Sequence, residues 1–488
     1  MTCVAMLSSF FNTRPRPTAA DRVLIASKLT GEPPFVKHSP RRIMHAALAL
    51  IACAPLCLGA PLTALAQATA QSPTAASTPI RPPKIHGPVP ASKPKPAKPR
   101  RKVHWFNPAS WPVLAVPLIA VDPNNGTTVG IIPTRLVTNS RNEITEIIAP
   151  DILHNPYFGW GAHARILAFP SRDTQWSIVG GGEQQIESSF DALFQTGLQR
   201  QRPFSLTLEG LYDRSGTARF YGIGNNSVRV NQTVYIDQQI GADSSLGWNI
   251  THAWQLAYTF VAKKVKVLGT TLPGVPPITS RFEGTLGIGT THELLNRIAL
   301  IYDTRDDITI PTRGEQVVLY GGVASRNVQL DDSLFTEAGG DARFYWSPWR
   351  TLVVATHVDL RYEPTTHHVP FWALSSLGGD QSLIGGSQTL RGYGTSRFYD
   401  RDSFAGNIEL RQNVLAFNAF GTFVNLQVAP FFDTGQVFHT AGTFPIRHLH
   451  NVFGVGFRGL AAPSVVGYVD IGAGHEGIAV FTGINYPF

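Results

Sequence analysis

The chain has 488 residues, and its charge is divided unevenly between a short first part and the rest. Residues 1–104 contain 15 Lys and Arg against 2 Asp and Glu, so the totals of 41 and 33 leave 26 against 31 for the remainder. The larger part of the chain is therefore mildly acidic. The overall net charge of +8 is thus no evidence that this part binds nucleic acid. All three cysteines lie within the first 57 residues, so the remainder has no disulfide framework and no thiol-bound metal.

Residues 41–68, RRIMHAALALIACAPLCLGAPLTALAQA, have the pattern of a secretory signal peptide. Paired arginines precede an apolar run, and small residues follow it where cleavage would occur. The pattern predicts a signal peptide over 44–68 with cleavage after Ala66 or Ala68, and it makes 1–43 an over-extended start.

Two alternative hypotheses for the same stretch are a transmembrane anchor and a lipoprotein acylation site at Cys53. Pro55 and Pro61 interrupt the apolar run, which is much shorter than the roughly 20 residues of a membrane-spanning helix. Cys53 also lies too close to Met44 and too far from Met1 for an acylation site. The signal peptide is therefore the favoured hypothesis.

Residues 69–111 have the composition of an unstructured linker. Nine prolines lie between Pro73 and Pro99, and six Lys and Arg residues are crowded into 93–102. Such a segment cannot bury a core and favours extended polyproline conformations. We predict a disordered periplasmic linker, which is either a solvated spacer or a tether to an anionic periplasmic partner.

From residue 112 onward, segments of roughly ten residues alternate apolar and polar side chains and end in turns rich in Gly, Asn, Asp or Pro. In TLVVATHVDLRY, residues 351–362, Val354 and Val358 fall on one face, whereas His357 falls on the other. FSLTLEGLY, residues 204–212, shows the same period. This alternation predicts β-strands with one apolar face.

Both a soluble β-sandwich and a membrane barrel would show this alternation. The segments are longer than ordinary strands and match the ~9–11 residues of a tilted transmembrane strand. Together with the export signal they favour a closed barrel, which satisfies every backbone group in lipid. We predict an all-β fold, a transmembrane antiparallel β-barrel of about 16 strands over 112–488, in the bacterial outer membrane.

The chain ends in GIAVFTGINYPF, where apolar side chains of one parity include Ile478, Val480, Tyr486 and Phe488. A terminal aromatic strand is typical of a barrel that closes at a membrane interface. We therefore predict that Tyr486 and Phe488 lie on the last strand and take part in barrel closure.

Four segments of the barrel part form a recognisable set: PLIAVDPNNGTTVG (117–130), FYGIGNNS (220–227), YDTRDDITIPTRG (302–314) and Leu390-Arg391-Gly392-Tyr393. With them the chain resembles the BamA/TamA family of outer-membrane assembly barrels, the bacterial surface antigen type, which is related to two-partner-secretion transporters. The last of the four segments matches the family's Arg-Gly-aromatic loop tip. Together the four segments are specific, whereas any one of them alone is a weak signal.

In that family the loop tip rests on two strands, which GNIELR (406–411) and FFDTG (431–435) match here. The alternation places Glu409 and Asp433 on the lumen side of these strands. The resemblance thus implies a loop latch formed by Arg391, Gly392, Tyr393, Glu409 and Asp433. The charged residues after the tip are expected to be solvated: Arg397, Asp400, Arg401 and Asp402.

The resemblance implies a non-enzymatic barrel that inserts or translocates polypeptides. Its partners would be outer-membrane lipids and unfolded outer-membrane or secreted polypeptides, and its mechanism the opening of the seam between the first and last strands. This sequence has the linker where family members usually carry POTRA domains. The alternative hypothesis is therefore a surface antigen or passive pore.

A third hypothesis is an outer-membrane lipid hydrolase that uses His357 and Asp359 with Ser375 or Ser376. No nucleophile motif supports it, and polar residues are expected on the lumen side of any such barrel. THH at 366–368 is expected to be a wet loop for the same reason.

Two further motifs resemble ligand sites but lack the context that such sites require. GTLGIG (284–289) has dinucleotide-like glycine spacing, yet it falls in a predicted strand alternation with no following helix. HELLN (292–296) has Asn296 where a zinc-protease helix would have its second histidine. We predict no catalytic, cofactor-binding or metal-binding residue.

Overall fold

The computed structural model describes residues 113–488 except for 142, 326–333, 366–368, 420–421, 441–447 and 462–464. The predicted over-extended start, signal peptide and linker lie outside the described residues, as does the THH stretch.

The described residues form 21 β-strands, one short helix and one 3-10 turn. The strands are β1 Leu114–Asp122, β2 Gly126–Thr138, β3 Ile144–Ile148, β4 Asp151–Asn155, β5 Gly159–Ser171, β6 Thr174–Glu183, β7 Ser188–Thr196, β8 Phe204–Phe220, β9 Thr233–Asn249, β10 Trp254–Gly269, β11 Gly289–Asp303, β12 Gly314–Ser325, β13 Leu334–Trp349, β14 Leu352–Thr365, β15 Ser375–Leu377, β16 Phe398–Asp400, β17 Asp402–Ala419, β18 Thr422–Phe438, β19 His450–Ala461, β20 Val465–Gly474 and β21 Gly477–Ile484. The helix α1 is Ile278–Phe282, and the 3-10 turn is Arg229–Asn231. No described helix is long and apolar enough to cross a membrane.

The strands close into one antiparallel barrel in chain order. β3 and β4 share one position, because both pair with β2 on one side and with β5 on the other. β15 and β16 form a separate two-stranded sheet. The described barrel therefore has 18 strand positions, closed by a contact between β1 and β21.

The prediction of an all-β antiparallel barrel is confirmed, but the predicted number of about 16 strands is two too low. Glycine-rich strands such as β6, which ends Val-Gly-Gly-Gly-Glu, carry few apolar side chains to mark their outer face. A count based on apolar alternation undercounts such strands because the pattern that defines them is weak.

Apolar side chains point out of the barrel and polar side chains point in. On β14, Val358 is 41% exposed, whereas its neighbours His357 and Asp359 are fully buried. Phe453 and Ile298 are more than half exposed on the outer surface. This is the inverse of a soluble sandwich, and it leaves an apolar outer face that suits lipid.

The last strand ends before the terminal aromatic residues, so the prediction that Tyr486 and Phe488 lie on it is wrong. β21 stops at Ile484, and Asn485 adopts a positive φ of 78° that turns the chain inward. Tyr486 and Phe488 are 8% and 5% exposed, and the Phe488 ring stacks on lumen-facing His357. The chain turns because the lumen offers these rings cationic and aromatic partners.

Residues 369–401, which we call the inner loop, connect β14 to β17 and fill part of the lumen. Almost all of its residues up to Gly394 are buried. Phe371 and Trp372 belong to one apolar cluster with the β8–β13 wall, whereas Leu390 and Tyr393 pack in another against β17–β19. We call the barrel end that carries the inner loop and the β1–β2 turn the loop end.

Candidate functional site

A fully buried guanidinium on the inner loop binds three carboxylates from the barrel wall. Arg391 donates from Nε and Nη2 to the two oxygens of Asp433, at 2.8 and 2.7 Å, which makes a bidentate pair. Its Nη1 donates to Glu409 Oε1 at 2.5 Å and to Asp470 Oδ2 at 2.8 Å. None of the four side chains is exposed. The structure therefore brings Arg391 to both carboxylates named from the sequence, and it adds Asp470.

The strand period explains why these carboxylates converge. Ile408 and Leu410 point outward and are about two-fifths exposed, so Glu409 between them must point into the lumen. Asp433 on β18 and Asp470 on β20 are placed in the same way, and both are fully buried. Strands β17 to β20 thus present their acidic side chains to one point that the inner loop can reach.

Two further buried arginines complete a charge-balanced network. Arg411 donates to Glu409 Oε2 at 2.7 Å, and Arg458 donates to Glu409 Oε1 at 2.7 Å and to Asp470 Oδ2 at 3.2 Å. Together with Arg391 they make three guanidiniums against three carboxylates. Pairing of this kind is required because an uncompensated charge in a dry interior is strongly unfavourable.

Aromatic rings cover the faces of two of these guanidiniums. The Arg391 guanidinium carbon lies 3.5 Å from the centre of the Phe431 ring, and that of Arg411 lies 3.7 Å from the Tyr486 ring. Such cation–π contacts stabilise a desolvated cation. Tyr486 is therefore part of the network, which is a physical reason for the inward turn of the chain end.

The two residues after Arg391 allow the loop tip to approach β20 closely. A Cβ atom at Gly392 would lie 2.5 Å from the backbone nitrogen of Gly474, so only glycine fits there. Tyr393 is buried, its ring packs edge-on against Phe398, and its hydroxyl accepts a hydrogen bond from the backbone of His475 at 3.4 Å. Close backbone approach, rather than an unusual φ, explains the glycine.

Arg397 is a second buried anchor of the inner loop, and the expectation that it is solvated is wrong. Its guanidinium binds the Glu476 carboxylate in the β20–β21 turn at 2.6 to 3.0 Å, and it donates to the Ser227 hydroxyl and carbonyl at 2.9 and 2.8 Å. The guanidinium also lies 3.9 Å from the Tyr221 ring. Asp400 and Asp402 are buried as well, so of the four residues only Arg401 is partly exposed. The alternation of the sequence does not predict the burial of Arg397, because its partners lie in loops far away in the chain.

The inner loop also contacts the other side of the barrel seam. Asn124, in the β1–β2 turn, donates from its side chain to the Thr395 carbonyl at 3.0 Å. Between the strands themselves, a single register pair joins β1 to β21, Val121 with Val480. The segment from Arg391 to Arg397 therefore bridges the first and last strands at the loop end.

A family model described as the Omp85 superfamily domain matches residues 175–458, more than half of the chain. The chain belongs to the Omp85 superfamily. The BamA/TamA-type resemblance is thereby confirmed, and this Omp85 barrel is a protein of the bacterial outer membrane. A sequence search of curated proteins finds no match.

Solved structures similar to the Omp85 barrel include BamA from Haemophilus ducreyi lacking POTRA domains 1–3. That match has a TM-score of 0.45 and 14% identity, and it covers 76% of this chain and 75% of the other. CdiB from Escherichia coli matches with a TM-score of 0.38 and 10% identity, over 77% of this chain and 62% of CdiB. CdiB from Acinetobacter baumannii matches with a TM-score of 0.40 and 11% identity, over 77% and 59% of the two chains. The family assignment accordingly depends on the sequence match.

The segment 302–314 of the Omp85 barrel forms the turn between β11 and β12, at the end opposite the inner loop. Asp306 accepts hydrogen bonds from the backbone of Thr312 and Arg313 at 2.8 and 3.1 Å. Partial burial raises the pKa of Asp306, but the hydrogen bonds from Thr312 and Arg313 outweigh it and lower that pKa overall. This family-like segment is therefore a turn stabilised by a carboxylate, away from the Arg391 network.

The two motifs that resemble ligand sites do not have the structure of such sites in the Omp85 barrel. HELLN lies on strand β11, with His292 and Asn296 pointing outward, so it forms no metal-binding helix. GTLGIG leads from the end of α1 to the first residue of β11, Gly289, and so lies almost wholly in a turn rather than in the expected strand alternation. No group of three or more His, Cys, Asp or Glu within the described ranges is arranged to hold a metal ion.

The residues of the hydrolase hypothesis are not assembled into a catalytic site. His357 Nδ1 is 2.8 Å from Asn407 Oδ1, and Nε2 is 2.8 Å from Asp341 Oδ2. Ser375 donates to the Arg401 carbonyl at 3.0 Å instead of to a histidine. Both ring nitrogens of His357 are therefore already engaged, and neither of their partners is a serine.

Proposed function

We propose that this Omp85 barrel inserts or translocates polypeptides at the outer membrane, without a catalytic reaction, by opening the seam between β1 and β21. The observation that carries the proposal is the weakness of that seam. One register pair joins β1 to β21, whereas nine pairs join β1 to β2 and eight join β20 to β21.

The inward turn of the chain end supports this proposal. Because the chain turns inward at Asn485, β21 cannot continue alongside residues 114–116 of β1, which the Val121–Val480 register would place opposite residues 485–487. Residues 114–120 of β1 pair with β2 and have no register partner on β21. A strand edge with free N–H and C=O groups is a template on which an incoming extended polypeptide can add as a further strand.

The inner loop limits what must break when the seam opens. Arg391 binds partners on β17 to β20, and Arg397 binds Glu476 in the β20–β21 turn, all on the β21 side of the seam. Arg397 also binds Ser227 between β8 and β9, away from the seam strands. On the β1 side, the loop is bonded through Asn124 and Thr395. Opening at β1 would therefore break one strand pair and this hydrogen bond while the buried arginine network stays assembled.

A disulfide across the seam tests the proposal. Directly opposed residues of antiparallel strands lie within reach of a disulfide. We expect Val121→Cys combined with Val480→Cys, with the three native cysteines replaced by alanine, to form a disulfide on oxidation. In proteoliposomes, the oxidised barrel should lose the ability to accelerate folding of a denatured outer-membrane barrel or passage of a secreted polypeptide. Reduction should restore it.

The matched control is Ile119→Cys combined with Val129→Cys, which joins the opposed residues of β1 and β2 and leaves the seam free. Undiminished activity of the oxidised Val121/Val480 variant would refute seam opening. The passive-pore alternative predicts steady conductance of the wild-type barrel in planar bilayers and no polypeptide-dependent activity in either variant. A mostly closed barrel with activity that depends on reduction would support the proposal.

A further inference from the structure

One wall of the lumen carries carboxylates without basic partners. Strands β6, β7 and β9 contain no Lys or Arg, and β8 contains only Arg214 and Arg219. Arg214 follows lumen-facing Asp213 and so lies on the outer parity of the strand, whereas Arg219 donates to the Asn124 carbonyl at 2.7 Å. This wall therefore differs from the β17–β20 wall, where arginines and carboxylates balance.

A cavity of about 190 Å³ lies against this wall in the half of the barrel nearer the loop end. Three guanidiniums line it, from Arg219, Arg297 and Arg361. Six carboxylates also line it: Glu183, Glu187, Asp213, Asp237, Glu293 and Glu337. Lys263 pairs with Glu293, so with all groups ionised six carboxylates against four cations leave an excess of two negative charges.

Two of the three guanidiniums of the cavity are engaged by the same carboxylate. Arg297 and Arg361 both donate to Glu337, at 2.7 and 3.0 Å, so one carboxylate takes two of the three cations. Arg219 donates from Nη2 to a backbone carbonyl, and its Nε and Nη1 have no hydrogen-bond partner among the described residues. The acidic groups on β6, β8 and β9 therefore face the cavity without an arginine partner.

Buried oxygen atoms without partners give a second, independent indication of a missing cation. Glu293 is 4% exposed and lines the cavity; its Oε1 lies 3.6 Å from Lys263 Nζ, whereas its Oε2 has no hydrogen-bond partner among the described residues. Glu183 also lines the cavity, and neither of its two buried carboxylate oxygens has a partner in the described part of the chain. A buried carboxylate in this condition takes up either a proton or a cation.

The spacing of the acids decides which cation fits. No described group of three acidic or histidine side chains converges as a metal ion requires. Instead the acids follow the sheet: Asp213 on β8 lies opposite Gln239, two residues from Asp237 on β9. Neighbours in such a sheet are separated by about 4.8 Å across strands or about 6.7 Å along a strand. Spaced anions of this kind suit a flexible chain that carries one positive charge every few ångströms.

We propose that this cavity binds a linear aliphatic polyamine with three or more ammonium groups. Each ammonium group pairs with a separate carboxylate of the β6–β9 wall, and the methylene segments span the distances between them. Three ammonium groups pair with three of the four lining carboxylates that form no ion pair among the described residues: Glu183, Glu187, Asp213 and Asp237. This ligand site is separate from the seam and does not depend on polypeptide insertion.

The experiment measures binding of spermidine to the refolded full-length barrel in detergent by isothermal titration calorimetry. We expect binding that weakens as salt is raised, because it depends on charge pairing. Asp213→Asn combined with Asp237→Asn should weaken it about tenfold or more, and Glu183→Gln, tested alone as a milder change, should weaken it less. The matched control is Glu283→Gln, an exposed acid that follows α1 and lies outside the cavity lining. The heat-dependent gel shift of the folded barrel verifies that each variant is folded.

Absence of spermidine binding by the folded wild type would overturn the proposal and indicate that the carboxylates are held protonated. Equal affinity in the wild type and in the folded variants of the lining would overturn it too. Displacement of spermidine by an equal concentration of Mg²⁺ would show a general counter-ion surface rather than a polyamine site, and would also refute it.

Discussion

The Arg391 network allows a quantitative test by a single substitution, Arg391→Ala. The change removes four side-chain hydrogen bonds to three buried carboxylates and the contact with the Phe431 ring. Breaking a buried ion pair by removing one partner costs about 3–5 kcal/mol, because a charge is left uncompensated.

The remaining arginines place the expected loss at the lower end of that range. Glu409 keeps Arg411 and Arg458, and Asp470 keeps Arg458. Asp433 retains the Asn407 amide at 2.9 Å but loses its bidentate guanidinium. We therefore expect Arg391→Ala to lower the free energy of unfolding by about 3 kcal/mol.

The assay is denaturant unfolding of the refolded barrel in detergent micelles, followed by tryptophan fluorescence. Arg401→Ala is the control on the same loop, because that guanidinium donates to the carbonyls of Glu363 and Pro364 and to no acid. We expect it to change the unfolding free energy by less than about 1 kcal/mol. Asp433→Asn should recover part of the loss when added to Arg391→Ala, since it removes the orphaned charge. A loss below about 1 kcal/mol for Arg391→Ala, or no recovery in the double variant, would refute the reasoning.

Two further predictions concern the contacts around the same loop. Gly472→Ala should lower the free energy of unfolding by about 1–3 kcal/mol in the same assay, because the new Cβ would overlap the Arg391 carbonyl oxygen. The control is Gly467→Ala on the same strand, which has open space around its Cβ and should be nearly neutral. Equal effects of the two substitutions would contradict the packing argument. Arg397→Ala should speed chymotrypsin cleavage after buried Phe398 or Tyr399, because the loop loses its bonds to Glu476 and Ser227. Arg229→Ala, which removes only a bond to the Glu476 carbonyl, should leave that cleavage slow, and an equal rate in both variants would count against an anchoring role for Arg397.

The local sequence was enough to predict which side chains of each barrel strand point into the lumen. Glu409 lies between Ile408 and Leu410, and Asp433 follows Phe432 on the opposite parity, so their inward direction required no tertiary information. The contact of Arg391 with these two carboxylates was predictable only from the resemblance of the loop tip to the family. That inference reached two of the three carboxylates, and it missed Asp470, which also lies on a strand with alternating side chains but in no motif that was singled out.

The residues that sequence reasoning misplaced have partners far away in the chain. Arg397 binds Ser227 and Glu476, which are separated from it by 170 and 79 positions. It stands in a stretch rich in Gly, Ser, Thr and charged residues, so it resembles a solvated loop residue. Tyr486 and Phe488 continue an apolar alternation in the sequence, yet they lie in the lumen, where they contact buried Arg411 and His357 respectively.

By itself, the sequence determined that this chain forms an outer-membrane barrel, because a period of two and long strands follow from short-range backbone geometry and from the need to satisfy backbone groups in lipid. It also determined which side chains of the barrel strands face the lumen. Only the tertiary structure decided which of them meet, how many strands close the ring, and that the seam is held by one strand pair and a bridging loop. Those features depend on contacts between residues hundreds of positions apart, and no local pattern encodes such distances.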